Sequence, residues 1–228
     1  MNLNKKIAVF FDCENISAKH IDDIFDELAN YGDVIIKQAY RDWSSNHHKT
    51  WKELLNKYAI KPIQTNTNIQ GKNASDIQIV IDVMNTLGEA KVNSIALVSS
   101  DSDFTTLAIE IKAKAFEVLG FGEEKTPDSL RNAYSTFVQL PLKTENSKTL
   151  DNKELISILK DGVTKRKDEN GWALVSQIGS YLNNKNASYH AKNFGENTWG
   201  DIYKKYPDIF ECDYKDSKKS TMIVRLKK

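Results

Sequence analysis

Three short stretches of the chain concentrate the residue types that handle phosphate esters. Asp12-Cys13-Glu14-Asn15 follows an apolar run at 7–11. Ser99-Ser100-Asp101-Ser102-Asp103-Phe104 closes a second run at 95–99, and Gly71-Lys72-Asn73-Ala74-Ser75-Asp76 opens a stretch with helical periodicity. Taken singly, each has a plain structural reading. Asp12 to Asn15 suits an Asx turn leaving a strand, Ser102 or Asp103 suits a helix N-cap, and Asp76 suits the positive end of a helix. Taken together they supply four carboxylates: Asp12, Asp76, Asp101 and Asp103. Like charges gathered at one place repel unless a cation neutralises them. Hard divalent cations such as Mg2+ or Mn2+ take oxygen ligands and commonly keep several waters. Such an ion acidifies a bound water and neutralises charge on a phosphate under attack, the two needs of phosphodiester hydrolysis. Lys72 is placed to steady a backbone phosphate or the leaving oxygen.

Gathering these residues requires a sheet. Apolar runs at 7–11, 34–40, 62–65, 95–99, 116–121 and 136–140 read as strands. Between them, helical spacing runs from Ser17 to near Gly32, through Trp51, Leu54, Leu55 and Tyr58, over 75–87 up to Gly88, over 104–114, and around 127–134. Strands alternating with such helices imply right-handed crossovers and a mainly parallel α/β sheet flanked by helices. In an open parallel sheet, ligands bind outside the carboxyl ends of the strands. Asp12, Asp101 and Asp103 fall at strand ends, and Asp76 starts a helix on the same edge. Asp82 shares a helical stripe with Gln78 and Asn85, which reads as a solvated or supporting group rather than a ligand.

A chain of 228 residues accommodates two domains. It has no apolar stretch of the roughly 18 residues that cross a bilayer, and its first residues lack a signal-peptide core, so no membrane partner is expected. Cys13 and Cys212 fall in different halves without metal-ligand spacing, which fits a reducing cytoplasm. Residues 1–140 carry 15 Lys and Arg against 19 Asp and Glu, whereas residues 141–228 carry 17 against 12. An acidic front and a basic back imply carboxylates for metal chemistry and lysines for a polyanion. Residues 141–151 are polar and aperiodic and read as a linker between a domain at 1–140 and one at 152–228. In the second, three helical segments precede two strand-like pieces, the outline of a small winged-helix α+β domain. Lys165, Arg166, Lys167, Lys185, Lys192, Lys215, Lys218 and Lys219 would contact phosphates, and Tyr189, read as exposed, would stack a base. Trp172, Trp199 and Tyr203 read as core, and His47, His48 and His190 as surface residues.

Residues 5–140, roughly, resemble the NYN domains, the bacterial LabA-like branch of the PIN-like nuclease superfamily. The likeness rests on the strand followed by Asp12-x-x-Asn15, on Lys72-x-x-x-Asp76 with Asp82 six residues on, and on the strand ending Ser99-Ser100-Asp101-Ser102-Asp103-Phe104. It implies a PIN-like, Rossmann-like fold and metal-dependent RNA cleavage. Asp12, Asp76, Asp101 and Asp103 would then be the metal-binding or catalytic carboxylates, with Asn15, Ser100 and Asp82 in support. Ala74-Ser75 stands where family members often have a Gly-Val type pair. The back half is similar to OST-HTH/LOTUS domains in Leu155-Ile156-x-x-Leu159, Gly171-Trp172-Ala173-x-Val175, Ile178-Gly179-x-x-Leu182 and Phe194-Gly195 before Trp199. That second likeness implies RNA binding, G-rich RNA included.

The expected protein is therefore a cytoplasmic metal-dependent ribonuclease, endonucleolytic, using Mg2+ or Mn2+. Its expected partners are single-stranded or structured RNA and a second copy of itself in a homodimer. The competing expectation is a catalytically silent RNA-binding or regulatory scaffold. A small-ester phosphohydrolase of the haloacid-dehalogenase type would want Asp-x-Asp after the first strand, where this chain has Asp12-Cys13-Glu14.

Overall fold

In the computed structural model, which describes residues 5–44, 49–65, 73–89, 91–142 and 152–227, strands and helices alternate as the apolar runs require. They are β1 (Lys6–Asp12), α1 (Ile21–Leu28), β2 (Asp33–Arg41), α2 (Lys49–Lys57), β3 (Lys61–Gln64), α3 (Ala74–Gly88), β4 (Ser94–Val98), α4 (Thr105–Ala113), β5 (Glu117–Glu123), α5 (Asp128–Ala133) and β6 (Thr136–Leu140). All six strands are parallel, in the order β3-β2-β1-β4-β5-β6. β1 from Ile7 onward and all of β4 are buried, because helices cover both faces of the sheet at its centre. β3 lies at the edge and is mostly exposed. The first three strands wind outward from β1, and α3 carries the chain back to lay β4 on the other side of β1. This reversal opens a crevice beyond the carboxyl ends of β1 and β4. With Phe11 opposite Val98 and Asp12 opposite Tyr40, Asp12 and Ser99 leave the sheet side by side.

Packing under that edge is tight. Gly120 of β5 lies against the ring of buried Tyr134, and a Cβ there would come within 2.1 Å of Tyr134 Cδ2. Only glycine lets the ring lie on the strand. Phe11 meets Phe25 at 5.8 Å and Trp51 at 6.3 Å between ring centroids, joining the sheet to its helices. Burying side chains of this size stabilises by about 1.5–3 kcal/mol each.

The chain divides into two units, Met1–Pro141 and Leu142–Lys228. The second holds α6 (Asn152–Arg166), β7 (Ala173–Leu174), α7 (Val175–Lys185), a 3-10 turn (Ala191–Phe194), α8 (Trp199–Lys204), β8 (Phe210–Tyr214) and β9 (Met222–Leu226). Its antiparallel sheet has the order β7-β9-β8. The sequence pattern gives only the β8–β9 hairpin, since a two-residue strand such as β7 is too short to alternate. Leu159, Val163, Ile178, Leu182, Tyr203 and Val224 form the centre of its core. Among the described residues no helix is long and apolar enough to cross a membrane. Lys72, His47, His48 and residues 143–151 of the expected linker lie outside the described residues.

Candidate active site

Asp12 ends β1 and is only 1% exposed. A carboxylate so placed must have its oxygens met by donors. Backbone N–H groups of Glu14 and Asn15 each donate to Oδ1 at 3.2 Å, the Asx turn that the sequence allows. Asn15 Nδ2 donates to Oδ2 at 2.8 Å, and Ser99 Oγ donates to the same oxygen at 2.6 Å. Four donors thus fix the carboxylate and use the acceptor directions it offers. Cys13 beside it is buried, and burial together with the Asp12 charge pushes its thiol well above the usual range. A thiol held protonated is no nucleophile at neutral pH.

Ser99 links two of the carboxylates. While donating to Asp12 it accepts the backbone N–H of Asp101 at 3.0 Å. Asp101 is the N-cap of a 3-10 turn (Ser102–Phe104), accepting from Asp103 N–H at 3.0 Å. Capping and clustering therefore coexist in one residue. Asn73 Nδ2, just before α3, reaches Asp103 Oδ2 at 3.4 Å. Asp76 lies in the first turn of α3, whose N-terminal end is tied to the sheet by Thr65 Oγ1 and Ser75 Oγ, 3.0 Å apart. Burial, then the charges of Asp12, Asp101, Asp103 and Glu14, raise the Asp76 carboxyl from 3.8 to about 6. The four carboxylates thus share one electrostatic neighbourhood, and no Lys, Arg or His side chain among the described residues is paired with any of them.

An all-oxygen, net-negative set of this kind fits a hard divalent cation. Among the described residues, Asp76, Asp101 and Asp103 retain oxygens without donors, whereas those of Asp12 are all engaged. Among the described residues no three His, Cys, Asp or Glu side chains stand close enough to enclose an ion by themselves. Mg2+ suits such an arrangement, since it is commonly held by one or two carboxylates and keeps several waters.

The supporting residues divide. Asn15 bonds Asp12 directly. Ser100 turns the other way, where its Oγ accepts from Glu123 N–H at 2.9 Å and lies 3.0 Å from Thr126 Oγ1, bracing the end of β5. The hydroxyl that touches the carboxylates is that of Ser99, which the sequence reading did not single out. Asp82 accepts from Tyr40 Oη at 2.8 Å and from Gln78 Nε2 at 3.0 Å, fastening α3 to β2. Arg41 at the end of β2 was also not singled out, and its guanidinium donates to the carbonyl of Cys13.

A family model for the NYN domain matches residues 6–142. The chain belongs to the NYN domain family. Its aspartates thus stand at the carboxyl edge of an NYN sheet. A model for the OST-HTH/LOTUS domain matches residues 147–221, so the second unit is of that kind. A solved structure of a Vibrio parahaemolyticus protein of unknown function superposes with a TM-score of 0.50 at 20% identity. It covers 61% of this chain and 95% of that one, a likeness of fold alone. No curated protein matches the chain.

The OST-HTH/LOTUS unit disperses the expected RNA-contacting residues. Arg166 stacks on Tyr181 at 5.0 Å, and Lys185 joins the same cluster through a 2.8 Å bond to Asp161. Lys192 bonds Asn197. Lys215, Lys218 and Lys219 are exposed on the β8–β9 turn, which Asp216 holds through Ser220 and Thr221. Lys165 and Lys167 are exposed near the end of α6. Three expectations are corrected. Tyr189 is partly buried and packs against Phe194 at 6.3 Å, because its ring completes the core edge. Trp172 lies outside the core and carries Arg225 on its face at 4.4 Å. His190 is partly buried, and burial lowers its imidazole to about 4.

Proposed function

We propose that this NYN protein is a metal-dependent ribonuclease whose OST-HTH/LOTUS domain brings RNA to the carboxylate edge. One observation carries the reading: Asp76 is held protonated up to about pH 6 by burial and by carboxylates converging from two other segments. Uncompensated charge gathered at the crevice of a parallel sheet is costly to folding, and a ligand that needs it gives it a role. Mg2+ or Mn2+ would be held directly by one or two of Asp76, Asp101 and Asp103 and otherwise through waters, with Asp12 as a fixed charge behind them and a further oxygen once Asn15 or Ser99 lets go. When bound, the ion supplies an acidified water and neutralises charge on the phosphate under attack. A carboxylate of the cluster not engaged by the ion would take the proton of the attacking water at an Oδ atom. Ser99 and Asn15 keep Asp12 from turning, and Asn73 orients Asp103. Tethering by the second domain raises the local concentration of RNA without new chemistry. Two free thiols in separate units accord with a cytoplasmic setting.

A silent RNA-binding scaffold is the second reading. The saturation of Asp12 by four donors favours it, because those bonds must give way before Asp12 can ligate. Cleavage of single-stranded, structured and G-rich RNAs with Mg2+, Mn2+ or EDTA, beside Asp12→Asn and Asp101→Asn, separates the two. Metal-dependent cleavage lost in both variants is expected. Full activity in both refutes the nuclease reading, and tight binding without cleavage in any metal establishes the scaffold.

A further inference from the structure

The OST-HTH/LOTUS unit contains an open pocket of about 510 Å3, within the roughly 300–1,000 Å3 range of small-ligand sites. Lys167, Arg225 and Lys227 line it against a single carboxylate, Glu211. Glu211 is already committed, since Arg225 donates to its Oε2 from Nε at 2.8 Å and brings Nη2 within 2.8 Å of the same oxygen as an ion pair. Among the described residues, Lys167 and Lys227 have no partner for their ammonium groups, so the pocket is left with two free cations. Leu226 adds an apolar wall.

Arg225 is held in an unusual way. Its edge is bonded to Glu211 and one face rests on the indole of Trp172, which is not itself part of the lining. A planar guanidinium fixed by its edge and one face has its second face left for another planar group. The rim beside it is rigid. Asp168 Oδ1 accepts from the backbone N–H groups of Asn170 and Trp172 at 2.9 Å, and Asp168 N–H donates to Trp172 O at 2.7 Å. Gly171, at φ +83°, presents bare backbone to the pocket with open space where a side chain would stand.

We infer that this pocket takes one nucleotide of a single-stranded RNA. The base stacks on the free face of Arg225, and the flanking phosphates lie against Lys167 and Lys227. Bases do stack on arginine planes, and ammonium groups read phosphate as point charges. This assignment rests on the RNA-binding reading of the second domain and says where on that domain the strand is gripped. The β8–β9 turn, with its exposed lysines, supplies general attraction.

The test is binding of a fluorescein-labelled single-stranded RNA of about twelve nucleotides to the full chain in EDTA, by anisotropy across a salt series. Lys167→Glu combined with Lys227→Glu should weaken binding about ten- to a hundredfold and flatten the log–log salt slope by about 1.4, the value for two lost phosphate contacts on a single strand. Lys160→Glu, one such charge reversal roughly 10 Å back along α6, should cost less than about threefold, and less than Lys167→Glu alone. Arg225→Lys keeps the charge but loses the plane, so affinity should fall while the salt slope stays. Unchanged affinity and slope in the double lysine variant, with wild-type RNA binding intact, overturns the pocket alone. Absence of RNA binding by the wild-type chain overturns the RNA reading and the pocket with it. A free nucleoside monophosphate or an oligoglutamate that binds as tightly as the RNA would reassign the pocket to that ligand.

Discussion

Replacing Asp76 by asparagine should make the protein more stable while removing cleavage. Folding raises the Asp76 carboxyl from 3.8 to about 6, so the folded state binds the proton more tightly than the unfolded chain. The sign follows by linkage. Between about pH 4 and 6 the folded state carries more protons, so stability falls as pH rises through that window and then levels off. Two pH units at about 1.4 kcal/mol each give a ceiling near 3 kcal/mol. Asp76 is partly exposed, and screening by water brings the expected figure down to about 1–2 kcal/mol. Asp76→Asn should therefore gain about 1–2 kcal/mol at pH 8, roughly 3–6 °C in the melting transition of the NYN domain, and about nothing at pH 4. Urea and thermal unfolding in EDTA across that range measure it. Added Mg2+ should then stabilise the wild-type chain more than the variant, because the ion relieves the same repulsion. A variant no more stable than wild type at pH 8, or a gain that does not change with pH, refutes the electrostatic reasoning.

Ser99→Ala removes a donor from Asp12 and an acceptor from Asp101 N–H, and should cost about 1–3 kcal/mol with a loss of cleavage; Ser100→Ala, which touches neither, should leave cleavage far closer to wild type. Tyr134 Oη is buried and has no hydrogen-bond partner among the described residues, so Tyr134→Phe should be neutral or stabilising by up to about 1 kcal/mol. Tyr203 Oη donates to Leu159 O at 3.0 Å in the core of the second unit, and Tyr203→Phe should cost about 1 kcal/mol on the same unfolding assay. In that unit His190 titrates near 4 when folded, so the unfolded chain takes up the proton first as pH falls below about 6.5. Stability there should drop by about 2–3 kcal/mol between pH 7 and 4, and His190→Gln should flatten that dependence in a pH-resolved melt.

The alternation of short apolar runs with helical spacing was enough to read the six-stranded sheet. The carboxylates were legible because each directly follows or precedes a strongly patterned element. What the sequence hid was direction. Ser99 and Ser100 are adjacent and chemically alike, but the last pairing of β4 with β5 sends one hydroxyl to Asp12 and the other to Thr126. The partners of Trp172 and Tyr189 were equally hidden. Arg225 lies far along the chain from Trp172, and only the β7–β9 pairing brings the two together. No periodicity marks a two-residue strand.

The strand order also dictates when the site can exist. Asp12 and Ser99 are 87 residues apart in sequence, and their contact waits for β4 to dock on β1. During synthesis, β1, β2 and β3 can pair with only Asp12 of the four aspartates yet at the carboxyl edge. The four charges meet only when β4 docks beside β1. On the proposed reading, the candidate site is thus absent from the nascent chain until β4 has docked beside β1 and the sheet has closed around its own charge.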